Sequence, residues 1–164
     1  MRKLLLCLLV VVLFTPSCFK ADNGCSFTEN NIVAPASEQA DVESYLSANG
    51  ITTAQKHPAG FYFEVINSGA GPKPNLCSIV NVGYTGTLTN GAVFDQQQAL
   101  SFQLGSLIEG WRKGLPLIQK GGTIMLYLPP SLGYGNADVK NQQGVVVVPA
   151  NSILIFEVNL LDVQ

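Results

Sequence analysis

The chain has 164 residues, 47% of them hydrophobic and only 12% charged, with a formal net charge of −2 at pH 7. Its length favours one domain plus extras. A mildly acidic balance without a basic run gives no electrostatic case for nucleic acid, and four cysteines with no Cys-x-x-Cys pair and a single histidine, His57, give none for a structural zinc site.

The first element is an export signal. "MRKLLLCLLVVVLF" has a basic start at Arg2 and Lys3 and an apolar run from Leu4 to Phe14, too short and wrongly flanked for an ordinary membrane span. "TPSC" follows. A small residue directly before Cys18 resembles a bacterial lipobox, although Thr15 and Pro16 depart from it. Cleavage before Cys18 would give a signal peptide of residues 1–17 and an acylated cysteine; the alternative is an ordinary signal peptide cut nearby. A lipid anchor would hold the protein at a bacterial envelope membrane, facing the periplasm or the cell surface, without a spanning helix. Cys7 leaves with the signal, which leaves Cys25 and Cys77. In an exported chain these can form a disulfide that pins the N-terminal tail to the domain, or remain two free thiols.

Residues 18–35 are polar and read as a flexible tether. Residues 36–60 read as an accessory helix and a linker. The helix spans about Ser37 to Asn49, with Ser37 as N-cap, Gly50 as C-terminal stop, and Val42, Tyr45 and Leu46 on one face. It reads as a cover rather than a functional element. His57 reads as a surface residue. From Phe61 the hydrophobic period becomes two, and residues 61–164 form the main domain. "GFYFEVINSGAG" is a strand ending in a glycine turn. "LCSIVNVGYTGTLTNGAVFD" is a strand pair joined at Asn90-Gly91, where both residues tolerate positive φ. "LSFQLG" is a further short strand. "LIEGWRKGLPLI" gives a helix of two to three turns from about Glu109, limited by Pro116. "TIMLYL" is a strand stopped by Pro129-Pro130, "SLGYGNADVKNQQG" a loop, and "SILIFEVNLLDV" a long closing strand. The fold class is α+β: an antiparallel sheet of about five strands around one short helix, with the accessory helix in front. No phosphate-binding glycine signature opens a helix after a strand. On periodicity alone, the only tryptophan, Trp111, reads as ordinary core.

Four of these segments occur together. "VGYTGTLTNGAVFD", "LIEGW", "LGYG" and "SILIFEVNLL" resemble, in order and approximate spacing, the FKBP-type peptidyl-prolyl cis–trans isomerases, over about Phe61 to Val163. The resemblance implies a twisted antiparallel sheet wrapped around the helix, with an apolar pocket for a proline ring. Its floor would be Trp111, and its walls Tyr84, Phe94, Leu107, Ile108, Tyr134 and Phe156. Asp95 matches the family's pocket carboxylate. Val147 and Val148 fall where the family carries an aliphatic pair before the last strand. The Ile108 N–H would bind a substrate carbonyl, and the Tyr134 hydroxyl would donate to the carbonyl before the proline. Tyr84 and Asp95 would hydrogen-bond each other.

The sequence departs from the family at several positions. Leu100 stands where an aromatic often edges the pocket. Leu132 replaces a common tyrosine. The 136–146 loop is longer than in compact members and lacks their histidine. The expected activity is X–Pro isomerisation on proline-containing polypeptides, by a monomer with no cofactor, metal or nucleic acid. Two other readings remain: a weakly catalytic peptide-binding chaperone module on the same scaffold, and a purely structural surface lipoprotein.

Overall fold

The computed structural model describes residues 24–164; the expected signal peptide and the expected acylation of Cys18 lie outside the described residues. Among those described, no helix is long and apolar enough to cross a membrane. Helix α1 spans Ala36–Ala48 and is followed by strands β1 (Gln55–Lys56), β2 (Tyr62–Asn67), β3 (Ile79–Leu88) and β4 (Val93–Gln103). Helix α2 covers Glu109–Gly114. Then come β5 (Thr123–Leu128), β6 (Val139–Lys140), β7 (Val146–Val148) and β8 (Leu154–Val163). Six strands form one antiparallel sheet in the order β1-β2-β5-β8-β3-β4, and β6 and β7 make a separate ribbon. The sheet therefore has six strands rather than about five, because Gln55–Lys56 adds a short edge to β2.

Period-two alternation assigns each strand residue to a face. On β8, Leu154, Phe156, Val158 and Leu160 join the main core with Trp111 and Leu115, while Ile155 points to the opposite face. On β5, Leu126 and Leu128 face the main core and Tyr127 faces away. Helix α1 covers that second face: Val42 and Leu46 pack with Tyr62, Tyr127 and Ile155. The α1 cap differs from expectation. Pro35 takes the N-cap position without a side-chain hydrogen bond, and Ser37 sits in the first turn. At the other end Gly50 has φ +65°, its N–H donates to the Ser47 carbonyl, and the Ile51 N–H donates to the Leu46 carbonyl. These are the paired bonds of a Schellman stop.

Three further details differ from the sequence reading. "VFD" and "LSFQ" belong to one strand, β4, which carries bulges against β3. Gly83 permits one of them, since a Cβ there would lie 2.6 Å from the Gln98 carbonyl oxygen. At the β3–β4 connection only Gly91 has positive φ, and the Gly91 N–H to Leu88 carbonyl bond makes an ordinary turn followed by a left-handed glycine. Helix α2 is six residues long and continues as a 3-10 turn, Leu115–Leu117, because Pro116 supplies no N–H.

The segment expected as a tether is docked from residue 25 onward. Cys25 and Cys77 are joined by a disulfide with Cα atoms 5.6 Å apart. Closing a loop over a sequence separation of 52 removes unfolded-state entropy worth about 4 kcal/mol. The Ala34 N–H donates to the Ala59 carbonyl at 2.9 Å, and Ala34 is buried. His57 is half-buried rather than a free surface residue: its ring stacks on Phe61 at 4.3 Å, and burial lowers its pKa.

Because α1 seals one face of the sheet, it is part of the folding unit. Leu46→Ala should lower unfolding free energy by about 2–5 kcal/mol in a urea titration; a loss below about 0.5 kcal/mol would show that α1 packs without stabilising the sheet.

Candidate active site

Trp111 lies on α2, just after the chain turns out of the extended backbone of Ile108 (φ −60°, ψ 151°). The Ile108 carbonyl accepts the Trp111 and Arg112 N–H groups. The Ile108 N–H belongs to the helix entrance, where no preceding turn offers a carbonyl. Gly110 lets α2 lie close on the sheet, since a Cβ would run into the Leu128 side chain.

A cavity of about 150 Å³ opens beside Trp111, lined by Tyr84, Asp95, Phe102, Leu107, Ile108, Trp111, Tyr134 and Phe156. Trp111 is 5% exposed and meets Tyr84 at 5.2 Å, Phe156 at 5.3 Å and Phe102 at 6.4 Å, edge to face each time. Gly86 on β3 leaves room for these rings: a Cβ would lie 2.6 Å from Phe94 Cζ and 2.8 Å from Phe156 Cε1. The Tyr84 hydroxyl donates to Asp95 Oδ2 at 2.6 Å. Burial, and then this bond to the Asp95 carboxylate, holds the Tyr84 phenol above its ordinary pKa of 10. Burial and the nearby Asp95 charge raise Tyr134 as well.

Seven of the residues singled out in the sequence thus share one cavity: Tyr84, Asp95, Leu107, Ile108, Trp111, Tyr134 and Phe156. Phe94 stands beside it, edge-on to Phe156 at 5.5 Å and to Tyr134 at 6.4 Å. Three residues lie elsewhere. Leu100 is 41% exposed on edge strand β4, opposite Val82. Val147 and Val148 are in the β6–β7 ribbon, where Val148 is committed to the core at 1% exposure. Phe102 is the wall residue that sequence reading missed. Its signal was available: it alternates with the buried Leu104, just ahead of the "LIEGW" segment.

A larger and more open groove of about 330 Å³ runs between residues 29–33, Pro58 and the side of α2 that carries Arg112 and Lys113. It has no comparable aromatic lining, so the smaller cavity is the better candidate for a ring-shaped apolar ligand. No cluster of three or more His, Cys, Asp or Glu able to hold a metal occurs among the described residues.

The site is thus a half-enclosed aromatic hollow on an antiparallel sheet, floored by an indole and edged by a Tyr–Asp pair. Residues 71–161 match the sequence profile of the FKBP-type peptidyl-prolyl cis-trans isomerase family, more than half of the chain, and the chain belongs to that family. It is 40% identical over 126 residues to the FKBP-type peptidyl-prolyl cis-trans isomerase FkpA of Escherichia coli K12, a match covering 74% of this chain but only 43% of that protein. The crystal structure of Escherichia coli FkpA superposes with a TM-score of 0.66 at 36% identity, over 79% of this chain and 60% of that one. A peptidyl-prolyl cis-trans isomerase structure from Pseudomonas syringae gives a TM-score of 0.66 at 26% identity, over 80% of this chain and 97% of that one.

The raised Tyr84 pKa carries a signed consequence. An unfolded chain ionises this phenol near pH 10 while the folded one keeps its proton, so the stabilisation is complete below pH 10 and is lost as pH rises toward the folded pKa. Urea unfolding midpoints should fall above about pH 10, and Tyr84→Phe should make that fall shallower. Equal slopes in the two proteins would show that burial and Asp95 do not hold the Tyr84 phenol above its ordinary pKa.

Proposed function

We propose that this protein is a peptidyl-prolyl cis–trans isomerase acting on proline-containing segments of polypeptide clients. The observation that carries the reading is the aromatic cavity floored by Trp111, with Tyr134 and Ile108 at its edge.

Rotation of an X–Pro bond crosses a barrier of about 18–20 kcal/mol set by amide resonance. The planar amide is strongly dipolar, and the twisted one has lost its conjugation. Water stabilises the planar form more. A hollow that exchanges water for aromatic walls removes that preference, and each 1.36 kcal/mol taken off the barrier is tenfold in rate. Apolar cavities near 150 Å³ accept a ring the size of benzene, close to that of a pyrrolidine.

The polar groups orient the substrate. The Ile108 N–H, unpaired by its place at the helix entrance, receives a substrate carbonyl. Tyr134, 39% exposed as a residue and lining the cavity, donates its hydroxyl to the carbonyl before the proline. Tyr84 and Asp95 satisfy each other and stiffen the rim. No proton moves in the reaction, so none of these groups serves as a general acid or base. The Trp111 Nε1–H is buried without a partner among the described residues. A purely structural indole would be expected to have one, which favours a cavity wall over inert core.

The N-terminal apolar run and Cys18 support export to a bacterial envelope with lipid anchoring, and a disulfide suits an oxidising compartment. The cavity is formed within one chain, so the proposed reaction calls on no residue of a second copy.

In a protease-coupled assay on an Ala-Leu-Pro-Phe peptide, the protein should accelerate isomerisation, and Trp111→Leu should lower kcat/KM at least about tenfold while the far-UV spectrum stays native. A folded wild type that gives no acceleration yet binds unfolded polypeptide would be a binding module instead. An unchanged rate in Trp111→Leu would place catalysis outside this cavity.

A further inference from the structure

The cavity floor is held from outside by a part of the chain that precedes the matched family region. Residues 25–30 meet α2 through the Arg112 and Lys113 side chains. Arg112, directly after Trp111, donates from Nη2 to the Thr28 carbonyl at 2.8 Å, and the Lys113 Nζ donates to the Asn30 carbonyl at 2.8 Å. Both cations also face Glu109 one turn back, so α2 is tied to the strap at two successive positions. The Phe27 ring lies on Gly105 so closely that a Cβ there would run into it.

Gly105 belongs to the 3-10 turn Leu104–Ser106, which leads straight into Leu107 and Ile108. The strap therefore touches both ends of the segment that supplies Leu107, Ile108 and Trp111. The latch sits at the same place. The Gly105 N–H donates to the Leu76 carbonyl at 2.8 Å and the Leu104 N–H to the Ser78 carbonyl at 3.0 Å, on either side of Cys77, which is bonded to Cys25. Cys77 is exposed and Cys25 half-exposed, so the bond is open to reagents.

We infer that residues 25–30 are a positioning strap for the Leu104–Gly114 segment, with Phe27 and Arg112 as positioning residues, and that the Cys25–Cys77 bond is the latch that keeps the strap seated. A dithiol opens the latch by thiol–disulfide exchange. Its two sulfurs become a cyclic disulfide, the Cys25–Cys77 bond breaks, and its two protons end on the two cysteine thiols. The strap is then held, among the described residues, by two side-chain hydrogen bonds and one ring contact, and so thinly tied a segment frays. The fold remains, because the sheet and α1 do not depend on it. What loosens is the placement of Trp111 and the Ile108 N–H, where a displacement of about 1 Å is costly to rate.

The inference rests on the isomerase reading for its catalytic readout, but not for its spectroscopic one. Trp111 is the only tryptophan, so indole fluorescence reports on the cavity floor alone. Full-length protein is compared oxidised, after reduction with dithiothreitol, and after reoxidation, by acrylamide quenching of Trp111, kcat/KM and far-UV spectrum. The expected result is a quenching constant about twofold higher and kcat/KM roughly tenfold lower on reduction, both reversed by reoxidation. Cys25→Ser should match the reduced state and ignore dithiothreitol. Gly105→Ala, which displaces Phe27 with the latch intact, should raise quenching in the oxidised protein.

Quenching and rate that ignore reduction would overturn the inference. So would loss of the native far-UV spectrum, since the bond would then be holding the whole domain. A quenching change in a protein inactive in both states would sink the isomerase reading and leave the strap standing.

Discussion

An indole ring wedged edge-on between Tyr84, Phe102 and Phe156, at 5.2 to 6.4 Å, is the contact around which the rest of the domain is arranged. Edge-to-face aromatic pairs contribute about 0.5–1.5 kcal/mol each beyond the area they bury. They also demand a fixed distance between α2 and the sheet. That distance is why Gly110 and Gly114 on α2 face Leu128 and Leu126, where any Cβ would intrude, and why β3 carries Gly86 beneath the rings. The bulge at Gly83 belongs to the same constraint. It shifts the β3–β4 register by one residue between Val82 and Tyr84, and in that shifted register Tyr84 reaches Asp95 with a 2.6 Å hydrogen bond. Packing, register and the one polar pair at the cavity edge are consequences of seating a single tryptophan.

The sheet was legible because alternation is a strong signal when both faces of a strand are buried in different ways. β8 shows this well: Leu154, Phe156, Val158 and Leu160 recur at every second position, and the structure sends all four to one core. The aromatic cavity was legible only through the resemblance that "LIEGW" and "VFD" carry, since periodicity alone reads Trp111 as core; the structure brings Trp111, Ile108 and Asp95 together from different elements. Short elements were not legible. A two-residue strand such as Gln55–Lys56 has no period to read and exists only because β2 offers it an edge. Leu100, Val147 and Val148 were expected at the cavity and do not line it in the structure. Val147 and Val148 depend on a ribbon register, where a one-residue slip sends a side chain to the other face, whereas Leu100 shares the unshifted register of Phe102 and differs from it in position along β4. Phe102 was passed over in favour of Leu100, two positions earlier on β4, although only Phe102 reaches the cavity.

The N-terminal residues were the least readable of all. Segment 25–34 has a polar composition that reads as linker, yet it makes backbone-carbonyl contacts with Arg112 and Lys113, a disulfide to Cys77 and a ladder-like bond from Ala34 to Ala59. Composition reports on side chains, whereas most of this docking goes through carbonyl oxygens, which every residue carries. The matched family region begins at residue 71, so both the strap and the α1 cover are additions around that core. They act on opposite faces: α1 seals the side of the sheet that bears Tyr127 and Ile155, and the strap braces the helix that bears the floor of the cavity.

The central claim is that this hollow prefers a rotated prolyl amide to a flat one. The most direct measurement compares two ligands by titration of Trp111 fluorescence in the oxidised full-length protein: a short peptide with an ordinary X–Pro bond, and a proline α-ketoamide whose two adjacent carbonyls stand crosswise and mimic the twisted state. The account predicts that the twisted mimic binds at least about a hundredfold tighter and displaces the peptide from the same cavity. Equal affinity for the two, or tight binding that leaves the Trp111 signal untouched, would contradict it.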